Sequence, residues 1–155
     1  MLRLPGAWTW DFWLADDGER HHLFFLFASR ALRDEHRRHR RAAIGHAVSD
    51  DLRNWFQVAD ALVSSDGPAF DDLATWTGCV VREPDGPWWM FYTGARDVGG
   101  PTVQTIGAAT SADLEEWHKD PASPLVTADS RLIRAVDGHP ALRDRVLPLE
   151  RWQVD

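Results

Sequence analysis

The sequence predicts an all-β protein built from two consecutive four-stranded antiparallel sheets of the kind that form β-propeller blades. Residues 44–55 read IGHAVSDDLRNW and residues 106–117 read IGAATSADLEEW, so the same pattern recurs in register. Each copy follows a Thr-Trp pair, an Asp-Gly pair and an aromatic run, in that order. A repeated unit of about 65 residues is typical of stacked supersecondary units rather than of one irregular domain.

Each unit is predicted to contain a strand, a hairpin turn, a strand, a loop, a strand, a second turn and an outer strand. Short runs rich in aromatic and apolar residues favour strands. These runs lie at 20–29, 42–48, 76–82, 88–94 and 103–110. The hairpin turns are predicted at Asp17-Gly18 and Asp85-Gly86, since Asp-Gly suits a tight turn. The Ser-x-Asp-Leu segments at 49–52 and 111–114 predict the second turn.

The predicted organisation is a partial propeller over residues 1–128, with blades at about 8–68 and 69–127, followed by a different tail at 129–155. The tail carries no aromatic strand run and contains Pro140 and Pro148, which interrupt regular structure. We expect this tail to be irregular or to hold a short helix near 130–136. No helix is expected before residue 128.

Composition is that of a globular domain with its own core. Of the 155 residues, 44% are hydrophobic and 26% are charged. The net charge of −7 disfavours nucleic acid as a partner. The basic run at 36–41 is a local exception, which is either a solvated loop or a contact with an anionic ligand. The nine Trp residues either fill the core between sheets or line a carbohydrate surface.

The lone cysteine, Cys79, excludes an intrachain disulfide. Its apolar neighbours predict a buried small side chain rather than a nucleophile. No apolar run is long enough for a signal peptide or a membrane span. We therefore expect a cytoplasmic protein without a membrane partner, and we expect no metal and no cofactor. Arginine outnumbers lysine 16 to 1, which favours a bacterial source.

Asp11 is the candidate functional residue. It is a carboxylate at the start of the innermost predicted strand, surrounded by Trp8, Trp10, Phe12 and Trp13. An acid among aromatic residues is either hydrogen-bonded and functional, or it caps a turn or pairs with an arginine. The residue pattern alone leaves both interpretations open.

Four stretches, 10–18, 44–49, 75–78 and 90–94, together resemble the bacterial five-bladed β-propeller glycoside hydrolases of families 32, 43, 62 and 68. The resemblance covers residues 8–128 and implies two blades of a five-bladed propeller. It implies a hydrolase acting on O-glycosyl bonds of β-fructosides or related furanosides, with Asp11 as the nucleophile or the general base. It also implies a sugar subsite, whose walls would be Trp10, Trp13, Trp76 and Thr77.

The chain departs from the family pattern at two further carboxylates. The family's Arg-Asp-Pro segment, whose Asp stabilises the transition state, is not found, since Arg143-Asp144-Arg145 lacks the proline. The Glu that acts as general acid is not found either, because none of four glutamates matches its motif: Glu83, Glu115, Glu116 and Glu150. Glycosidic hydrolysis normally uses two carboxylates on opposite sides of the bond.

We therefore expect a truncated or partial member of this superfamily that binds an oligosaccharide or a sucrose-like substrate, with little activity by itself. A non-catalytic carbohydrate-binding or interaction module is the main alternative, and a fragment without a function of its own is a third. Two blades leave sheet faces uncovered, so self-association through an exposed blade face is also expected.

Overall fold

The computed structural model describes residues 2–127, together with the backbone of residues 135–136 and 139–140. Its first sheet is an antiparallel meander with strand order β1-β2-β3-β4. The four strands are β1 (Ala7–Asp16), β2 (His21–Ser29), β3 (Ala43–Ser49) and β4 (Phe56–Gln57). The turn between β1 and β2 is the predicted Asp-Gly turn, in which Gly18 has a φ of 94°. The Asp17 carboxylate closes this turn by accepting the backbone N–H groups of Glu19 and Arg20.

The second sheet repeats the meander with strand order β5-β6-β7-β8, and a fifth short strand, β9, also pairs with β7. Its strands are β5 (Ala74–Arg82), β6 (Trp88–Arg96), β7 (Val103–Ser111), β8 (His118–Lys119) and β9 (Val126–Thr127). The all-β prediction of two antiparallel blades is confirmed. The extra strand was not predicted, because a two-residue strand has no alternation that can be recognised in a sequence.

The Ser-x-Asp-Leu repeat is a turn in which the Asp carboxylate accepts backbone amides. Asp51 Oδ1 accepts the N–H groups of residues 53 and 54, and Asp113 Oδ1 accepts those of residues 115 and 116. The following Leu has a positive φ in both copies, 58° at Leu52 and 65° at Leu114. The two copies of the repeat therefore form the same turn. Each turn leads into the short outer strand predicted after it.

The main core lies between the two sheets. Buried side chains from the first sheet meet buried side chains from the second, and each large apolar side chain contributes roughly 1.5–3 kcal/mol by its burial. The first sheet supplies Phe24, Leu26 and Ile44, and the second supplies Trp88, Met90, Tyr92 and Trp117. A smaller cluster contains Ala42, Leu73, Ala74 and Ala95. Trp10 and Trp76 pack against both clusters, so they lie where the two sheets meet.

The β2–β3 connection corrects the expectation that no helix precedes residue 128. It contains two 3₁₀ helices, Arg30–Leu32 and Glu35–Arg41, and we call the second the basic helix. Asp34 caps the basic helix by accepting the His36 N–H at 2.9 Å. A 3₁₀ helix needs no apolar stripe with a 3.6-residue period, so the sequence carries no helical periodicity that would predict it.

Cys79 corrects a second expectation, because its thiol is exposed rather than buried. The register of β5 shifts between Thr75 and Gly78. After this shift Val80 packs against the main core, so Cys79 points to the opposite face of the strand. That face of the second sheet is not covered by the first sheet.

The predicted irregular or short helical tail at 129–155 lies outside the described residues, except at two short strands. These strands, β10 (Ala135–Val136) and β11 (His139–Pro140), pair antiparallel, so residues 135–136 are extended. Neither 3₁₀ helix in residues 2–127 has the length or hydropathy of a bilayer-spanning helix.

Candidate active site where the two inner strands meet

Asp11 lies at an irregularity in the inner strand of the first sheet. The register between β1 and β2 shifts between Trp10 and Phe12, which leaves Asp11 unpaired with β2. Asp11 has a φ of 39°, a left-handed conformation that residues other than glycine rarely adopt. Its side chain is exposed. Strained residues at β-bulges are common next to active sites, where the bulge redirects a side chain.

The inner strand of the second sheet has an irregularity at the equivalent position. It spans Trp76 and Thr77, and it brings the Thr77 Oγ1 hydroxyl to 2.6 Å from Asp11 Oδ2, to which it donates a hydrogen bond. Gly78 allows β5 to rejoin β6 here, because a Cβ at this position would lie 2.3 Å from the Phe91 carbonyl oxygen. The two strand irregularities thus place Asp11 and Thr77 in direct contact.

Trp10 and Trp76 flank this contact, and both are partly covered by the basic helix. The Trp76 Nε1–H group donates to the His39 carbonyl oxygen at 2.7 Å. The His39 ring lies edge-on to both indoles, with centroid distances of 5.7 Å to Trp10 and 6.5 Å to Trp76. The Arg38 guanidinium lies 5.0 Å from the centre of the Trp10 ring, a cation–π contact.

The electrostatics of His39 follow from this packing. Burial lowers the pKa of His39 from its usual value, the Arg38 charge lowers the pKa further, and the Asp11 carboxylate opposes both effects. Burial and the Arg38 charge thus favour the neutral imidazole, in which one ring nitrogen is a donor and the other is an acceptor.

Trp13 has a different environment from the other predicted subsite residues. Its indole stacks on Phe24 with a centroid distance of 6.2 Å and packs against the main core. The structure thus brings Asp11, Thr77, Trp10 and Trp76 together, and places Trp13 in the contact between the sheets. The roles assigned to all five residues stay predictions.

The described glutamates that were considered for proton donation are engaged with other partners. Glu83 accepts from Trp89 Nε1 at 3.2 Å, Glu115 pairs with Arg20 at 2.7 Å, and Glu116 lies 3.8 Å from His118. Glu150 and the segment 143–145 lie outside the described residues. Within residues 2–127, no group of three His, Cys, Asp or Glu side chains is arranged to share a metal ion.

Sequence reasoning missed the contribution of the basic helix to this site. Arg38 and His39 contact the aromatic residues beside Asp11, and Glu35 pairs with Arg38 on the same helix. The charge run at 36–41 was a detectable signal, and one of its two interpretations was a ligand contact. The basic helix connects the end of β2 to the start of β3, and it lies against Trp10 and Trp76, which pack where the two sheets meet. Only the fold reveals this position.

Comparison with known proteins identifies related sequences and folds. The model of the glycosyl hydrolases family 32 N-terminal domain matches residues 14–144, a match that begins just after Asp11. Beta-fructofuranosidase 1 of Zea mays is 38% identical over 85 residues, which cover 53% of this chain and 12% of that protein. Fructan 1-exohydrolase of Aegilops tauschii is 34% identical over 113 residues, which cover 71% of this chain and 18% of that protein.

The fold is shared with a solved plant enzyme. The crystal structure of fructan 1-exohydrolase IIa from Cichorium intybus matches with a TM-score of 0.71 and 24% identity, over 86% of this chain and 24% of that chain. A variant of the same enzyme has been solved in complex with 1-kestose. The chain thus spans less than a fifth of the two curated relatives and about a quarter of the solved one.

Proposed function

Because the chain belongs to glycosyl hydrolase family 32, we propose that it carries part of a fructoside-binding active site in which Asp11 is the carboxylate that acts at the glycosidic bond. The related maize enzyme is named a beta-fructofuranosidase and the related grass enzyme a fructan 1-exohydrolase. We therefore propose β-fructosides, either sucrose-like sugars or fructan oligosaccharides, as the ligands of this chain.

The contact between Asp11 and Thr77 is the observation that carries the proposal. Two bulged inner strands from separate sheets converge on one exposed carboxylate, and the Thr77 hydroxyl orients it at 2.6 Å. A purely structural aspartate would be expected to cap a backbone amide or pair with an arginine. Asp11 instead accepts from a hydroxyl on the neighbouring sheet, and its Oδ1 atom has no hydrogen-bond partner within residues 2–127, so Oδ1 is available to a sugar.

Asp11 supplies one of the two carboxyl groups that glycosidic hydrolysis normally requires. As a nucleophile it would attack the anomeric carbon, and a second carboxylic acid would protonate the leaving oxygen. In family 43 the equivalent Asp is a general base, and we keep this role as a second assignment for Asp11. A general acid contributes about 10²–10⁴-fold to the rate. We therefore propose that this chain alone hydrolyses fructosides slowly or not at all.

Sugar binding without cleavage is the second candidate function. It is favoured by a specific observation: the carboxylate, the hydroxyl and two indoles are assembled, whereas Glu83, Glu115 and Glu116 contact other residues. A carbohydrate-binding module requires only the carboxylate, the hydroxyl and the indoles, and it needs no proton donor.

Titration with 1-kestose, sucrose and fructose, followed by tryptophan fluorescence, tests the site. Asp11→Asn should keep affinity within a few-fold, because the amide oxygen still accepts the Thr77 hydroxyl. Asp11→Ala and Thr77→Val should weaken binding by about tenfold, the loss expected for one or two hydrogen bonds. Asp50→Asn, an exposed carboxylate at the turn after β3, is the matched control and should bind like the wild type.

Release of reducing sugar from sucrose, measured in the same preparations, separates the two candidate functions. Sugar binding without release of reducing sugar supports the second candidate function, a carbohydrate-binding module. Hydrolysis that disappears in Asp11→Ala would show that a proton donor is present and that the chain is an enzyme. Failure of the wild-type chain to bind any of the three sugars would contradict the proposed site.

We also propose a bacterial source and a cytoplasmic location. The excess of arginine over lysine supports the first proposal. The free, exposed thiol of Cys79 supports the second, since exposed thiols persist in reducing compartments. The relatives described above are plant proteins.

A further inference from the structure

A cavity of about 410 Å³ lies beside the basic helix, and three arginines line it. The complete lining is Arg37, Arg40, Arg41, Gly67, Asp72, Leu73 and Asp97. A 3₁₀ helix has three residues per turn, so Arg37 and Arg40 lie on one line along it. Arg41 lines the cavity from the last position of the helix. The side chains of Arg38 and His39, from the same helix, lie against Trp10 instead.

The two carboxylates of the cavity already have partners. Asp97 pairs with Arg40 and also accepts the Gly99 N–H at 3.0 Å. Asp72 accepts the N–H groups of Ala69 and Asp97, both at 3.3 Å, and its Oδ2 atom lies 3.8 Å from Arg96 Nε. These acids therefore neutralise Arg40 and Arg96 rather than the other arginines.

Arg37 and Arg41 are both exposed and have no carboxylate partner within residues 2–127. Two guanidinium groups of like charge at one cavity repel each other unless an anion lies between them. Each guanidinium carries five N–H donors in a planar fork that matches phosphate and carboxylate oxygens. Two forks present more donors than one carboxylate can accept, which favours the three terminal oxygens of a phosphate.

We propose that this cavity binds a phosphate group through Arg37 and Arg41, with Arg40 held in place by Asp97. The phosphate is either free inorganic phosphate or the phosphate ester of a sugar. The basic helix would then connect two sites, since it contacts the bound anion through one set of side chains and the Asp11 site through another. The proposal does not depend on Asp11 being catalytic.

Calorimetric titration in a phosphate-free buffer of low ionic strength tests the proposal, with inorganic phosphate, fructose 6-phosphate and fructose as probes. The wild-type chain should bind both phosphate probes. The double variant Arg37→Gln/Arg41→Gln should bind them about tenfold more weakly or worse, because charge-assisted hydrogen bonds are lost. Arg33→Gln removes an exposed positive charge outside the cavity lining, so it should bind like the wild type.

Comparison of the two phosphate ligands distinguishes the sources of the phosphate, and two further variants test for a general effect of charge. Fructose 6-phosphate that binds more tightly than inorganic phosphate assigns the cavity to a sugar ester, and equal affinities assign it to free phosphate. The variant Arg37→Lys/Arg41→Lys keeps the charge but loses the planar fork, so its affinity should be intermediate. The proposal would be overturned if Arg33→Gln lost as much phosphate affinity as the Arg37→Gln/Arg41→Gln variant. It would also be overturned if a wild-type chain with a cooperative melt bound no phosphate.

Discussion

His22 and His46 form a fully buried pair inside the first sheet. His22 Nδ1 lies 2.9 Å from His46 Nε2, and His22 Nε2 lies 3.2 Å from Asp17 Oδ2. The His46 ring also stacks on Phe24 at 4.6 Å. Burial, together with the neighbouring His22, lowers the pKa of His46 to about 4. The folded state thus holds this imidazole neutral at a pH where an exposed histidine would be charged.

This pair predicts a loss of stability in mild acid. In the unfolded chain His46 is protonated near the usual histidine value of 6.5, and in the folded chain near 4, so the unfolded state binds more protons between these values. The stabilising contribution of neutral His46 is therefore fully present above pH 6.5 and is lost as the pH drops from 6.5 to 4. The free energy of unfolding decreases by about 3 kcal/mol across that window. Urea unfolding at several pH values measures this slope.

His46→Gln should flatten the slope between pH 6.5 and 4, because glutamine does not titrate. His118→Gln, which replaces an exposed histidine, should leave the slope unchanged. An unchanged slope in His46→Gln would contradict the assignment of the pH dependence to His46.

Asp17 affects stability only at lower pH. The N–H of Arg20 is the main cause that lowers its pKa to about 2, so its contribution is lost as the pH falls through that value.

At the scale of elements, the segment between the two sheets is attached to β8 by the single lysine of the chain. Lys119 Nζ donates to the Val63 carbonyl oxygen at 2.6 Å, to Ser65 Oγ at 2.8 Å and to Asp71 Oδ2 at 2.6 Å. The buried Tyr92 hydroxyl also donates to Asp71 Oδ2, at 2.9 Å. Burial and the Asp71 carboxylate raise the pKa of Tyr92, so it remains a donor. This network joins the connection to both β6 and β8.

Lys119→Met should destabilise the chain by about 3 kcal/mol or more, because a buried Asp71 carboxylate would lose its counter-charge. Asp71 is fully buried, so water cannot replace the ammonium group. The double variant Asp71→Asn/Lys119→Met should recover part of the loss, since no unpaired charge remains. Urea unfolding at pH 7 measures both variants. A Lys119→Met chain as stable as the wild type would show that the network contributes little.

At the scale of the whole molecule, both outward faces of the two-sheet stack carry exposed apolar side chains. Phe12 is 73% exposed and Leu14 is 52% exposed on the first sheet, and Val81 is 47% exposed on the second. Trp76 and Val80, on the same strand as Val81, pack against the main core instead. Uncovered apolar faces and open sheet edges favour association.

We therefore expect the isolated chain to self-associate or to be poorly soluble at micromolar concentration. Leu14→Lys/Val81→Lys should shift the sedimentation coefficient toward the monomer, because a lysine on each face opposes burial. Val98→Lys, at an exposed apolar position outside the strands, should not change the association. A wild-type monomer with a cooperative melt above roughly 60 °C, the upper end for ordinary domains, would contradict this expectation.

The sequence by itself determined the local structure and the family. Aromatic and apolar runs predicted the long strands, and the Asp-Gly and Ser-x-Asp-Leu signals predicted turns, because these preferences act between residues close in the chain. The ordered motifs around Asp11 and Trp76-Thr77-Gly78 indicated the glycoside hydrolase superfamily.

Only the tertiary structure decided which residues surround Asp11. The irregularities of β1 and β5 change the direction of Asp11, Thr77 and Cys79, and they depend on pairing with strands distant in sequence. The basic helix has no apolar periodicity, so its place beside Trp10 follows from the packing of two sheets. Contacts between residues 66 positions apart, such as Asp11 and Thr77, form only once both sheets have folded against each other.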